Sequence, residues 1–182
     1  MPIDVTSLDR VVRAWIMAHQ NNGVHGVADI VSKVGGVSPV DWVGILFAIY
    51  LWLRGRRPAA LAVAISPLLA LLTYTGARRL LFRQRPPSGA GLHEASSSFP
   101  SAHSTTATAV CCTLAYILWR ERMIPAPIAI FLAVLPPLVI GASRLYLDVH
   151  WTTDVIAGWI AGLLIAALAA VFYRQAGSIQ NR

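Results

Sequence analysis

Between two long apolar runs the chain reads Ser143-Arg144-Leu145-Tyr146-Leu147-Asp148-Val149-His150-Trp151-Thr152-Thr153-Asp154. The flanking sequence would bury an arginine, a histidine and an aspartate in lipid, where ionisable groups are costly and point to function by default. If the segment from His150 onward is helical, His150 and Asp154 fall one turn apart on one face. A carboxylate there accepts one imidazole N–H, fixes the tautomer and leaves the other ring nitrogen free as a nucleophile. Arg144 offers a planar donor fork suited to phosphate. The competing reading is an interfacial arginine beside a structural His–Asp pair, and this stretch alone leaves both open.

A second stretch, Gly76-Ala77-Arg78-Arg79-Leu80-Leu81-Phe82-Arg83-Gln84-Arg85-Pro86, is rich in arginine. Arg78 and Arg85 are two helical turns apart and are predicted to share a face. Pro86 is predicted to end the helix at or before Arg85. Arg79 and Arg83 are expected to snorkel at the periphery. A polar loop from Ser88 to Ser98 follows, in which His93 and Glu94 are read as solvated. It leads into Phe99-Pro100-Ser101-Ala102-His103-Ser104, the start of the next apolar run. Proline suits a helix start, and a helix N-terminus presents free N–H groups and a positive dipole end to an anion. The Ser101 hydroxyl can donate to a phosphate oxygen, and His103 is placed to give or take a proton.

Together these parts make a site for phosphoryl transfer. Three arginines and a helix N-terminus neutralise the equatorial oxygens. His150, held by Asp154, attacks phosphorus, while His103 protonates the leaving oxygen and then activates water. There is no carboxylate cluster for magnesium, so the arginines take the part of a metal. Cofactors and metals are not expected.

Composition says where such a site must sit. The 182 residues are 56% hydrophobic and 13% charged, with a mean hydropathy of +0.60. Soluble domains carry about a quarter charged residues, so an all-α polytopic membrane bundle is predicted. A net charge of +7 would suggest nucleic acid in a soluble chain. Here the arginines end apolar runs, so topology and anion binding explain them and no nucleic-acid partner is expected. Cys111 and Cys112 are adjacent within an apolar run, so they read as packing residues rather than a disulfide, and no metal-ligand spacing appears. The start, Met1-Pro2-Ile3-Asp4, lacks a basic region before an apolar core, so no cleavable signal peptide is expected.

Three regions are expected: an interfacial amphipathic region over 1–37, a membrane-embedded domain over 38–174 and a cytoplasmic tail over 175–182. Over 7–20, Leu8, Val11, Val12, Trp15 and Ile16 follow helical spacing. Thr6 with Asp9 resembles a capping box, and Asp9 and Arg13 are spaced to pair. A second, weaker amphipathic segment carries Val24, Val27 and Val31. Five spans follow, at about 38–53, 59–77, 102–119, 124–142 and 155–173. Gly158 and Gly162 form a small-xxx-small pair for close packing, and Pro136-Pro137 predicts a kink. Arg54, Arg56 and Arg57, then Arg120 and Arg122, then Arg174 and Arg182 follow odd-numbered spans, which places all three clusters on the cytoplasmic side. The connections 78–101 and 143–154 then face outward with five arginines, an exception that an anion site accounts for.

The motifs resemble those of the type 2 phosphatidic acid phosphatase family, whose active site is similar to that of vanadium haloperoxidases. The family's Lys, six residues, Arg-Pro reads here as Arg78, six residues, Arg85-Pro86. Its Pro-Ser-Gly-His reads as Pro100-Ser101-Ala102-His103. Its Ser-Arg, five residues, His, three residues, Asp is matched by Ser143-Arg144, His150 and Asp154. The resemblance covers about 38–173 and implies a metal-independent hydrolase with a phosphohistidine intermediate. His150 would be the nucleophile, Asp154 its orienter and His103 the acid. Arg78, Arg85, Ser101, Arg144 and the Ala102 N–H would bind phosphate. Arg78 in place of lysine keeps the charge but adds a fork. Ala102 in place of glycine keeps the N–H but adds a Cβ, which matters if the position needs an unusual φ. Many members have six spans, and the first is expected to be missing here.

The expected substrate is a lipid phosphate in the bilayer, such as undecaprenyl pyrophosphate, phosphatidylglycerol phosphate, phosphatidate or a lipid A phosphate. The expected location is the inner membrane with the site on the periplasmic or extracellular face. The oligomeric state is unknown from sequence. A non-catalytic lipid-phosphate binder is the alternative from another class, disfavoured by the presence of both histidines. A phosphotransferase is the third reading.

Overall fold

The structure is a computed structural model that describes residues 2–87 and 97–180. The expected loop tip, with His93 and Glu94, lies outside the described residues. Seven helices run in order among those described: α1 Ser7–Ala18, α2 Asn22–Val34, α3 Val37–Leu53, α4 Arg57–Leu80, α5 Ala102–Arg120, α6 Ala126–Tyr146 and α7 Thr152–Gln180. The fold is an all-helical bundle. By length and composition α4, α6 and α7 can each cross a membrane, and α2 with α3 forms one further candidate span bent by 43°. Large apolar side chains such as Trp42, Leu53, Ile130 and Leu168 cover the outside, as expected where lipid is the solvent.

Helix α5 is the polar exception and the centre of the bundle, packed against α3, α4, α6 and α7. Its Ser104, Thr105, Thr106, Thr108 and Thr113 are buried. The Thr105 and Thr108 hydroxyls donate to the carbonyls one turn back, at 2.9 and 2.7 Å. A helix surrounded by other helices can carry hydroxyls in this way where they bond back to its own carbonyls, whereas the buried Thr106 and Thr113 hydroxyls have no hydrogen-bond partner among the described residues.

The small-xxx-small pair on α7 does what its spacing predicts. A Cβ on Gly158 would meet Ser104 Cβ at 2.8 Å, and one on Gly162 would meet Thr108 Cβ at 2.5 Å. The α5 and α7 backbones are therefore in near contact, which sets the first turns of both helices side by side. Two carbonyls freed by helix prolines find substitute donors. Pro67 cannot donate to Val63, and Ser66 Oγ does so at 2.9 Å. Pro137 cannot donate to Ala133, and Cys112 Sγ does so at 3.3 Å. Helix α6 continues through both of its interior prolines, Pro136 and Pro137.

At one end of the bundle Arg56 pairs with Glu121, which also accepts from the Tyr173 hydroxyl at 2.8 Å. The starts of α5 and α7 lie at the other end. There the Thr6–Asp9 capping box opens α1 as expected, but Asp9 and Arg13 find distant partners. Arg13 donates to Asp148 at 2.8 and 2.9 Å, and Asp9 reaches Arg83.

Gly162→Ala should force α5 and α7 apart. Overpacking of this kind costs about 1–3 kcal/mol, so a lower thermal midpoint in detergent is expected. An unchanged midpoint would mean that the contact is not tight.

Candidate active site

Helix α4 stops at Leu80 and Leu81 is extended, which sets the geometry of the arginine stretch. The helix ends before Arg85, as expected, but it does so six residues ahead of Pro86. Arg78 and Arg85 therefore do not share a helix face. Past Leu80 the chain is non-helical up to Pro87, and side chains two apart point the same way in extended backbone. Phe82 and Gln84 are exposed, while Arg83 is buried and Arg85 half-buried. Arg79 is exposed, as expected. Arg83 is not peripheral: it is 1% exposed.

Arg83 is held at both ends of its guanidinium. Nη1 donates to Asp154 Oδ1 at 2.5 Å and to Thr153 Oγ1 at 2.7 Å. Nη2 donates to Asp9 Oδ2 at 2.5 Å and to the Asp4 carbonyl at 3.1 Å. Its backbone N–H donates to Ser97 Oγ at 3.1 Å, and its carbonyl accepts from Ser98 N–H at 2.9 Å. Both carboxylates are fully buried. Burial works against the charge on Asp9, but hydrogen bonds from Thr153, Thr6 and Arg83 hold its carboxyl below the usual range.

His150 sits two residues ahead of α7, so the spacing works through the helix start rather than along the helix. Asp154 Oδ2 accepts the Trp151 N–H at 3.0 Å and stands 3.5 Å from His150 Nδ1. On the other side of the ring Nε2 lies 3.4 Å from Arg85 Nη1, which also donates to the Val149 carbonyl at 2.9 Å. The Asp154 charge favours a proton on Nδ1 and leaves Nε2 with its lone pair. Burial pushes the His150 imidazole down to about 4, against the pull of Asp154 and with the push of Arg85. The ring is therefore neutral near pH 7.

The remaining candidates gather around it. His103 lies in the first turn of α5, within electrostatic reach of Arg144, His150, Arg78 and Arg85. Arg78 approaches the Pro100 carbonyl at 3.5 Å and lies over the Tyr74 ring. Arg144, in the last turn of α6, contacts the Ser32 hydroxyl of α2. Ser101 is the N-cap of α5 and fully buried; its Oγ accepts from the Ser104 hydroxyl at 3.1 Å and from the Ser104 N–H at 3.4 Å. Ala102 opens α5 without a positive φ, which among the described non-glycine residues occurs at Arg122 and Asp148. Its Cβ therefore causes no backbone strain. The Ser101 N–H donates to the Asp154 carbonyl at 3.1 Å, so the starts of α5 and α7 are tied directly.

Asp9, Arg83 and Thr153 belong to the site without a motif that marks them in the sequence. The available signal was the alternation of Arg83 and Arg85, legible once the chain after Leu80 is read as extended. Nothing in the sequence tied Asp9 to residues so far along the chain.

The description PAP2 superfamily matches residues 59–178. Phosphatidylglycerophosphatase B of Bacillus subtilis is 37% identical over 93 residues, which are 50% of this chain and 46% of that one. Putative undecaprenyl-diphosphatase YbjG of Escherichia coli is 31% identical over 140 residues, which are 72% of this chain and 67% of that one. The chain thus spans about half the length of the first relative and two thirds of the second. The crystal structure of the transmembrane PAP2 type phosphatidylglycerolphosphate phosphatase from Bacillus subtilis superposes with a TM-score of 0.78 at 24% identity, covering 93% of this chain and 86% of that one. The Aquifex aeolicus LpxE structure gives 0.66 at 21% identity, covering 93% and 99%. At these identities the two structures bear on the fold.

The His150 environment has a consequence for stability. Its folded pKa, about 4, lies below the unfolded value of 6.5, so between these pH values the unfolded chain binds the extra proton. Its contribution is present above pH 6.5 and is lost as pH falls towards 4, a change on the order of 3 kcal/mol. His150→Gln should flatten the fall in thermal midpoint across that window. An undiminished slope would contradict a buried neutral ring.

Proposed function

The chain belongs to the PAP2 superfamily, and from that premise we propose that it hydrolyses a phosphomonoester or pyrophosphate of a membrane lipid. The observation that carries the reading is the setting of His150. Its neutral ring has Asp154 behind Nδ1 and Arg85 beside Nε2, close to a helix N-terminus and two further arginines. An uncharged nucleophile at the centre of a cationic anion site suits attack on a phosphoryl group.

In this mechanism Nε2 of His150 forms a bond to phosphorus as the bond to the lipid oxygen breaks. Arg78, Arg85, Arg144, Ser101 and the Ala102 N–H hold the phosphoryl oxygens, and the positive end of α5 adds to their field. His103 gives its proton to the departing lipid oxygen. It then takes a proton from water, which attacks phosphorus and releases His150 and inorganic phosphate. Asp154 stabilises the positive charge that the ring carries in the intermediate.

A lipid substrate is supported by what adjoins Arg144. A groove of about 540 Å³ is lined by Val31, Val34, Val40, Val43, Val139 and Ile140 among others. Ile140 is one turn before Arg144, and Val31 precedes Ser32, which touches it. A phosphate on Arg144 would leave its hydrocarbon chain at the mouth of this groove. The site faces the periplasm or exterior in this reading, because Arg54, Arg56, Arg57, Arg120 and Arg122 cluster at the opposite end. Named activities of the relatives make phosphatidylglycerol phosphate and polyprenyl pyrophosphates the first substrates to try.

Detergent-purified protein with EDTA present should release phosphate from at least one member of a lipid mono- and pyrophosphate panel. His150→Ala should lower that release at least about 1,000-fold while the protein remains folded. Full activity in His150→Ala would overturn the mechanism.

A further inference from the structure

Helix α1 lies outside the family match at 59–178, yet it supplies a buried carboxylate to the centre of the molecule. From Asp9 the contacts run through Arg83 to Asp154 and end at His150 Nδ1, each within 3.5 Å. Thr153 closes the arrangement from α7. Its N–H donates to Asp9 Oδ1 at 2.9 Å, and its hydroxyl lies within 3.0 Å of both Asp9 oxygens.

The charges decide what this arrangement can do. Asp154 and Arg83 alone would form a neutral pair, and a guanidinium at 2.5 Å would draw the carboxylate's charge away from His150. Asp9 engages the other end of the same guanidinium, so the trio carries one net negative charge. It is nearly excluded from water, where an uncompensated charge acts strongly on its neighbours. That excess charge faces the imidazole, which turns cationic when Nε2 is phosphorylated. The two-ended grip on Arg83 also fixes Asp154 Oδ1, leaving Oδ2 directed at Nδ1. A simple tether for α1 would not require a charged trio: α1 is already held by Arg13 on Asp148, and the preceding segment by Ile3 N–H on the Phe82 carbonyl at 3.0 Å.

We infer that Asp9 and Arg83 are positioning residues for the reaction: α1 completes the support of His150 by holding Arg83, which orients Asp154 and leaves it the charge to stabilise a cationic ring. This rests on the reading of His150 as the nucleophile. Neither residue touches the phosphoryl group, so their effect falls on the chemical step rather than on substrate binding.

The test uses the full chain in detergent, with kcat and KM measured per folded molecule for Asp9→Asn, Arg83→Met, Arg83→Lys and the Asp9→Asn/Arg83→Met double variant. Asp9→Asn is nearly isosteric and keeps one acceptor oxygen, towards Thr153, while its NH2 replaces the oxygen that accepts from Thr6 and Arg83, so it serves if Arg83→Met does not fold. Losses in kcat of about 10–100-fold are expected, with KM within about threefold. Arg83→Lys should regain part of the loss. The double variant should be no worse than the poorer single one, because both act through one network. Wild-type kcat in folded Asp9→Asn or Arg83→Met would overturn the inference, as would a loss confined to KM or to the yield of folded protein. His150→Ala in the same assay separates the two claims. If it is inactive while Arg83→Met is fully active, the positioning role alone falls. If it retains full activity, the nucleophile reading falls and the inference with it.

Discussion

The Asp154 carboxylate must stay charged while fully buried, and the surrounding structure answers that constraint. Its side chain accepts the Trp151 N–H that opens α7, binds Arg83 and faces His150. Its backbone carbonyl receives the Ser101 N–H at the start of α5. One residue thereby joins the turn before α7, the extended segment after α4 and the N-terminus of α5. Each partner satisfies part of a charge that would otherwise be too costly to bury. The interactions that make the fold possible here are the same ones that orient the proposed nucleophile.

The rest of the bundle keeps this junction in register. Helix α5 has a polar side because it is enclosed by neighbours, and its Thr105 and Thr108 hydroxyls bond back to its own carbonyls. Gly158 and Gly162 bring α7 against it closely enough that the two helix starts share a hydrogen bond, from Ser101 N–H to the Asp154 carbonyl. Ser66 and Cys112 supply donors where prolines remove them. These bonds satisfy part of the polar interior, and the exterior is left apolar. The arginines of the site are a deliberate exception to that economy of charge, which is why an anion is the natural ligand.

Much of this was legible in the sequence, for physical reasons that differ by element. The apolar runs place α3, α4, α6 and α7, because lipid-facing helices must be apolar over their length, and the run over 102–119 places α5 although its neighbours enclose it. His150 and Asp154 were legible from their spacing, although the contact forms through the turn that opens α7. Gly158 and Gly162 were legible because close packing leaves few alternatives to glycine. Arg83 is not legible as a buried residue, since helical periodicity carried past Leu80 turns it outward in a segment that is not helical. The spacing of Asp9 and Arg13 suggested a local pair, but a fully buried cation elsewhere was the stronger partner for Asp9. That preference is set by burial in three dimensions, which local spacing does not encode.

The central claim is that His150 carries the phosphoryl group between lipid and water. Rapid-quench labelling with a ³²P-labelled lipid phosphate tests it most directly, followed by mapping of any acid-labile, base-stable label on the protein. A transient label on His150, which forms and decays at rates that support turnover, is the expected result. Turnover with no label on His150 at any quench time, or a label that maps elsewhere and turns over at the catalytic rate, would contradict it.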